Sequence, residues 1–213
     1  VHDTAHGAPH ERQRAVMEGN PMQAKRIIEE EHRSLAAVLY GMLYVVREIR
    51  YVGIKPDFAL LEAMVHYVDT FLERLHHPKE DAFLFKLLGS RYPGAAPLLD
   101  RLKQEHESGS VKLRQLRLAL TRYQHDGHAQ FPAFAAIVAD FAVFHWEHMR
   151  LEETELLPMA TRHLTDADWE AVDTAFLEHA NPLLGAEQGK ECRDLFRRIV
   201  DLAPRPIGVA PVR

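Results

Sequence analysis

Cysteine is nearly absent from this chain: Cys192 stands alone among 213 residues. A lone cysteine cannot close an internal disulfide, so the chain suits a reducing compartment and is expected in the cytoplasm. Excess positive charge is missing too. The net charge is -5, and no Lys/Arg cluster supplies the footprint that DNA or RNA binding requires. No segment approaches the roughly 20 consecutive apolar residues of a membrane span, so no membrane partner is expected. The alternating pattern of a strand bounded by turns is lacking as well. Residues 1–20 are polar and carry His2, His6 and His10. They lack the apolar run of a signal peptide and read as a flexible arm.

Helical periodicity fills the remainder. Asn20-Pro21 is a start signal, and Ile27, Ile28, Leu35, Val38, Leu39, Met42, Val46 and Ile49 follow at helical spacing. Gly53 and Pro56 end that run, and Asp57 caps a second helix with a stripe from Leu60 to Leu88. Gly89 to Pro97 reads as a turn. A third helix carries Leu98, Leu102, Leu113 and Leu120, and Asp126-Gly127 breaks it. Pro132 opens a fourth, with Phe134, Val138, Phe141, Phe144 and Leu156 facing in. Thr165 and Asp168 form a capping box for a fifth helix, and Asn181-Pro182 and Gly185 precede a sixth.

The expected fold is all-α: an antiparallel four-helix bundle over residues 21–160, because short connections make neighbours antiparallel. Two additional C-terminal helices over 161–203 pack on the bundle, with pairing to a second chain as a homodimer the alternative. Residues 204–213 are a tail.

Six polar residues fall on the apolar faces. His32 lies four after Ile28 and three before Leu35. His76 and Glu80 extend the line of Val68, Leu72, Leu84 and Leu88. His106 follows Leu102 by four. His148 and Glu152 lie between Phe144 and Leu156, again in steps of four. Each His-x-x-x-Glu pair stacks its side chains on one face, about 5–6 Å apart. Imidazoles and carboxylates in an apolar interior are costly, and a bound cation removes the conflict. His77 and Asp81 share the same spacing and are alternative ligands. Their line passes through the solvated Glu73, so His76 and Glu80 rank first. Pro78 removes one backbone donor there. His145, three residues before His148, is a further candidate. Glu105, Glu147, Glu153 and Glu155 lie near enough to receive a ligand's outer N–H. Tyr40 and Tyr44 read as packing residues.

The segment from His76 to Phe85, HHPKEDAFLF, resembles the second-helix signature of the hemerythrin-like, or HHE cation-binding, family. HMRLEETELLP, from His148 to Pro158, resembles the fourth-helix version, and Glu31-His32 and Glu105-His106 resemble its short acidic-His pairs. The resemblance covers about Met22 to Met159. It implies a bundle around two iron ions, with Glu80 and Glu152 bridging them and an oxo or hydroxo group completing the bridge. Zinc or manganese would also suit such donors.

One departure stands out. Oxygen-carrying members of that family have a fifth histidine four residues after the one on helix three, where this chain has Ser110, which then falls to a supporting role. Two octahedral irons offer about twelve positions; four imidazoles, two carboxylates and an oxo bridge fill about ten. The expectation is therefore an open site that binds or senses dioxygen, nitric oxide or peroxide. Alternatives are a di-iron enzyme that repairs iron centres or consumes nitric oxide or peroxide, and a regulatory module with a structural metal. No general base or redox cysteine marks turnover, so enzymatic activity stays undecided at this level.

Overall fold

The computed structural model describes residues 22–177 and 186–202. The expected arm, the Asn20-Pro21 start, Asn181-Pro182, Gly185, the 204–213 tail and the Cys192 side chain lie outside the described residues. Among the described residues there are six helices and no strand. Helix α1 is Gln23–Tyr51. Helix α2 runs over residues 58–91 and contains two π-helical stretches, Thr70–His76 and Glu80–Phe85. Helix α3 is Ala96–Asp126. Helix α4 runs over residues 131–163, with a π stretch at Glu152–Leu156. Helices α5 and α6 are Asp166–Leu177 and Ala186–Leu202.

The ends of these helices follow from local chemistry. Gly53 adopts φ 77° just past α1 and donates its N–H to the Glu48 carbonyl at 3.0 Å, a left-handed cap that glycine takes without Cβ strain. Asp57 accepts from the Leu60 N–H at 3.0 Å and starts α2. Gly127, at φ 79°, separates α3 from α4. The Gly89 turn expected from sequence is not where α2 stops. The helix continues to Arg91, because Gly89 serves close packing instead: a Cβ there would sit 3.3 Å from Leu99 Cδ1.

Neighbouring helices run in opposite directions, as their contacts show. Glu31 reaches His76, while Ser110 reaches Glu73 and Arg117 reaches Asp69. His148 meets Glu105, while Lys112 meets Asp140. His32 meets Glu153, while Arg50 lies over Phe131. For α2/α3, α3/α4 and α1/α4, rising numbers on one helix meet falling numbers on the other, which leaves α1 antiparallel to α2 as well. The closed ring α1–α2–α3–α4 is the antiparallel bundle.

The apolar stripes fill two separate clusters. One holds Leu39, Met42, Leu61, Leu116, Phe134 and their neighbours; the other holds Ile28, Leu84, Leu102, Leu156 and Trp169. Fully burying one such leucine contributes about 1.5–3 kcal/mol, and truncating it to alanine costs about 2–5 kcal/mol. The six polar residues on the apolar faces, His32, His76, Glu80, His106, His148 and Glu152, lie between the two clusters. Residues 128–163 form a helix long and apolar enough by composition to cross a membrane. Its Phe134, Val138, Phe141 and Leu151 are buried in the bundle.

The last two helices cover the outside. The Thr165 and Asp168 capping box forms: the Asp168 carboxylate accepts from the Thr165 N–H at 2.9 Å, and the Asp168 N–H donates to Thr165 Oγ at 3.3 Å. Arg91 clamps the same carboxylate at 2.8 and 2.9 Å, fixing α5 to α2. These bonds, Arg91's first, hold the Asp168 carboxyl well below the usual carboxylate range. Asp173 accepts from the Ala24 N–H at 2.6 Å and ties α5 to the start of α1. Helix α6 buries Leu195 and Ile199 against the first cluster.

Candidate metal centre

Four histidines, one from each bundle helix, turn their Nε2 atoms toward one another. His32 Nε2 lies 3.0 Å from His76 Nε2 and 3.2 Å from Glu152 Oε2. His76 Nε2 is 3.3 Å from Glu80 Oε1, and His148 Nε2 is 3.3 Å from Glu152 Oε1. His106 Nε2 lies 3.6 Å from Glu80 and 3.8 Å from Glu152. Both carboxylates are fully buried, and each faces histidines from more than one helix.

The outer nitrogens explain this orientation. Nδ1 of His76 donates to Glu31 at 2.7 Å, Nδ1 of His32 to Glu153 at 2.9 Å, and Nδ1 of His148 to Glu105 at 2.9 Å. Nδ1 of His106 lies 3.3 Å from Asp81. A carboxylate can only accept, so each imidazole keeps its proton on Nδ1 and presents Nε2 inward. This carboxylate–histidine pairing is the arrangement that orients metal-ligating histidines and raises their basicity.

The winding of the helices supplies the rest. A π turn inserts one residue and so rotates adjacent positions onto one side. The two π stretches of α2 end at His76 and begin at Glu80, flanking Pro78, whose missing N–H needs no partner in the ladder. His76 and His77 are both buried as a result. The His77 ring stacks on His106 at 3.8 Å between centroids and meets His148 edge-on at 5.6 Å. In α4 the π stretch starts at Glu152, which lets Glu152 point in while Glu153 reaches His32.

Two groups of donors result. His32, His76, Glu80 and Glu152 form one; His77, His106 and His148 form the other, with ligand atoms in each group within 4.8 Å of one another. A cation fits both on chemical grounds. The two oxygens of Glu80 and of Glu152, and Nε2 of His77, His106 and His148, are buried without a hydrogen-bond partner among the described residues. Such clustered bare donors cost several kcal/mol each, roughly, unless an ion satisfies them.

The electrostatics carry the same tension. Burial opposes a charge on His32, but the adjacent carboxylates of Glu152 and Glu153 outweigh it and raise its pKa to about 10. Burial lowers His76 to about 4, with Glu31 opposing only in part. His32 is thus the donor and His76 the acceptor in their 3.0 Å contact. For His106 burial is again overcome, by Asp81 and Glu152, and the pKa rises to about 9. Burial and then the neighbouring Glu152 charge push Glu80 well up, whereas His148, His106 and His32 hold Glu152 well down against its own burial. Where no cation is bound, protons supply the positive charge that these carboxylates need, so cation uptake displaces them.

Not every residue singled out in the sequence joins the cluster. Ser110 is on the bundle's outer side, donating to Glu73 at 2.7 Å. Asp81 holds His106 from outside and does not share the donor groups. His145 is buried, donates Nδ1–H to the Phe141 carbonyl at 2.9 Å, and stands outside both donor groups. Burial is the chief reason its pKa falls to about 3. Glu147 and Glu155 are exposed, and the exposed Tyr40 packs on Trp146. Sequence reasoning missed Glu31 as an outer partner. It precedes His32 but serves His76 across the helix interface, as Glu105 precedes His106 and serves His148. Burial of Glu31 is outweighed by His76 and Lys79, and its pKa falls to about 2.

A family model described as the hemerythrin HHE cation binding domain matches residues 24–160. No curated protein and no solved structure matches the chain.

Proposed function

Because this chain belongs to the hemerythrin HHE cation-binding family, we propose that it holds two iron ions and binds or senses a small ligand there: dioxygen, nitric oxide or peroxide. His32 and His76 would hold one ion and His77, His106 and His148 the other, with Glu80 and Glu152 as the carboxylates shared between them. The observation that carries this reading is the inward set of Nε2 atoms, four of them fixed by outer carboxylates, around two buried carboxylates with unpartnered oxygens.

His77 changes the coordination count. It supplies from α2 the fifth imidazole that Ser110 does not supply from α3. Five imidazoles, two bridging carboxylates and an oxo or hydroxo bridge fill about eleven of about twelve positions. About one remains for an external ligand, which favours binding over the more open site expected from sequence. Bound iron supplies the capacity to take up or reduce such a ligand. The protein's own part is to orient the imidazoles through Glu31, Asp81, Glu105 and Glu153, and to keep water out. Phe71 and Phe85 do the latter, stacking on His76 and His106 at 5.0 and 5.5 Å.

Anaerobic reconstitution with ferrous iron followed by air tests the reading. About two irons per chain and an oxo-to-iron charge-transfer band are expected from a paired site. Zero or one iron per chain would overturn it.

A further inference from the structure

A cleft of about 590 Å³ opens beside the metal centre, between α1, α2, α5 and α6. Its volume lies in the range of small-molecule sites, roughly 300–1,000 Å³, which are mostly apolar with a few convergent polar groups. The apolar surface comes from Tyr67, Phe71 and Leu75 of α2, Phe176 of α5 and Phe196 of α6. Phe196 packs on Tyr67 at 5.8 Å.

The charged groups around it are not equally committed. Glu31 is engaged twice, by His76 and by Lys79 at 2.9 Å. Lys79 is buried and also lies over the Phe176 ring at 4.3 Å. Glu30 is at the edge, 3.9 Å from Arg33. Arg193 and Arg197 stand one helical turn apart on α6. Arg193 is exposed and has no ion-pair partner among the described residues. Arg197 has only Asp194 at 3.5 Å, an exposed pair within one helix, of a kind that contributes little. The Glu30–Arg33 pair is as exposed and weaker still, so one carboxylate faces the two guanidinium groups; the excess at the mouth is cationic and in the form of guanidinium, which grips a carboxylate or sulfonate through two parallel N–H bonds.

We propose that this cleft binds a small organic anion with an aromatic or alkyl body. The anionic head pairs with Arg193 and Arg197, and the body lies on Tyr67, Phe71 and Phe196. Glu31 and Phe71 are shared between the cleft and His76, so the bound molecule sits one side chain from the metal centre. The binding itself does not depend on metal, and it is tested separately from the iron reading.

The probe is 8-anilinonaphthalene-1-sulfonate, followed by fluorescence titration of the full chain. N-phenyl-1-naphthylamine serves as its uncharged counterpart. One anion per chain is expected, bound at least tenfold tighter than the uncharged probe, in both chelator-treated and iron-loaded protein. Arg193→Glu with Arg197→Glu, both at exposed positions, should weaken the anion at least tenfold and move the uncharged probe less than twofold. Ser34→Trp, which fills the cleft from α1, should weaken both probes at least tenfold. Equal affinity for the two probes would overturn the proposal. So would an unchanged affinity in the arginine double variant, or in Ser34→Trp.

Discussion

Replacing Glu152 with glutamine keeps the side chain's shape and removes its charge. In the structure that one carboxylate faces His32, His106 and His148, from three helices, at 3.2, 3.8 and 3.3 Å. It belongs to one donor group and reaches His106 and His148 of the other, so its loss should weaken both. The size of the effect follows from linkage. An ion present at about 100 times its dissociation constant stabilises the folded state by about 2.7 kcal/mol. For a chain of this length, about 2–4 °C accompanies each kcal/mol, giving a rise of roughly 5–11 °C in the midpoint. Loss of an outer partner already costs about 10–100-fold in affinity, so loss of a bridging carboxylate should cost about 100-fold or more. At the same ion concentration the stabilisation then drops to about 0.4 kcal/mol, or about 1 °C. The assay is a thermal melt of chelator-treated protein with and without ferrous iron under argon, for wild type and Glu152→Gln. Comparing metal-induced shifts within each protein cancels any change in intrinsic stability. A variant whose shift matched the wild type within about 2 °C would refute the assignment of Glu152 as a bridge.

Other consequences are equally concrete. His77→Ala should lower iron from about two to about one per chain, whereas Ser110→Ala should leave it unchanged; metal analysis after gel filtration separates these outcomes. Glu31→Gln should weaken iron about 10–100-fold through His76 alone, read by competition against a chromophoric chelator. Asp168 has a depressed folded pKa, so its contribution is present above the ordinary aspartate value of about 3.9 and is lost as pH falls through the folded value. In a Trp146→Phe background, the fluorescence of buried Trp169 should accordingly survive to lower pH than it does when Arg91→Ala is added.

Much of the helical framework was legible because its punctuation is local. Asp57, Gly53, Thr165 with Asp168, and Gly127 act within a turn of where they stand, and the structure uses each as its chemistry suggests. Gly89 was misleading, since a glycine that permits close approach to Leu99 carries no sequence mark distinguishing it from one that ends a helix. The site divides in the same way. His32, His76, Glu80, His106, His148 and Glu152 could be placed on one side of their helices by ordinary spacing, and the structure gathers them. In the sequence His77 ranks behind His76 because its line passes through the solvated Glu73, a restriction that holds only while the 3.6-residue period is unbroken. The π turns around Pro78 remove that restriction, and their i→i+5 bonding has no residue signature beyond the proline itself. Glu31 escaped notice for a related reason. A residue adjacent to a ligand points about a quarter-turn away, toward the next helix, and only the assembled bundle shows what it meets.

The division of the interior into two apolar compartments has a mechanical corollary. Each of the four long helices passes through both compartments and through the layer of imidazole and carboxylate that parts them. The oily contacts at one end therefore have no direct purchase on those at the other. Rigidity must be relayed along helix backbones and across the ionised middle, so that layer is the bundle's hinge-pin as well as its donor set.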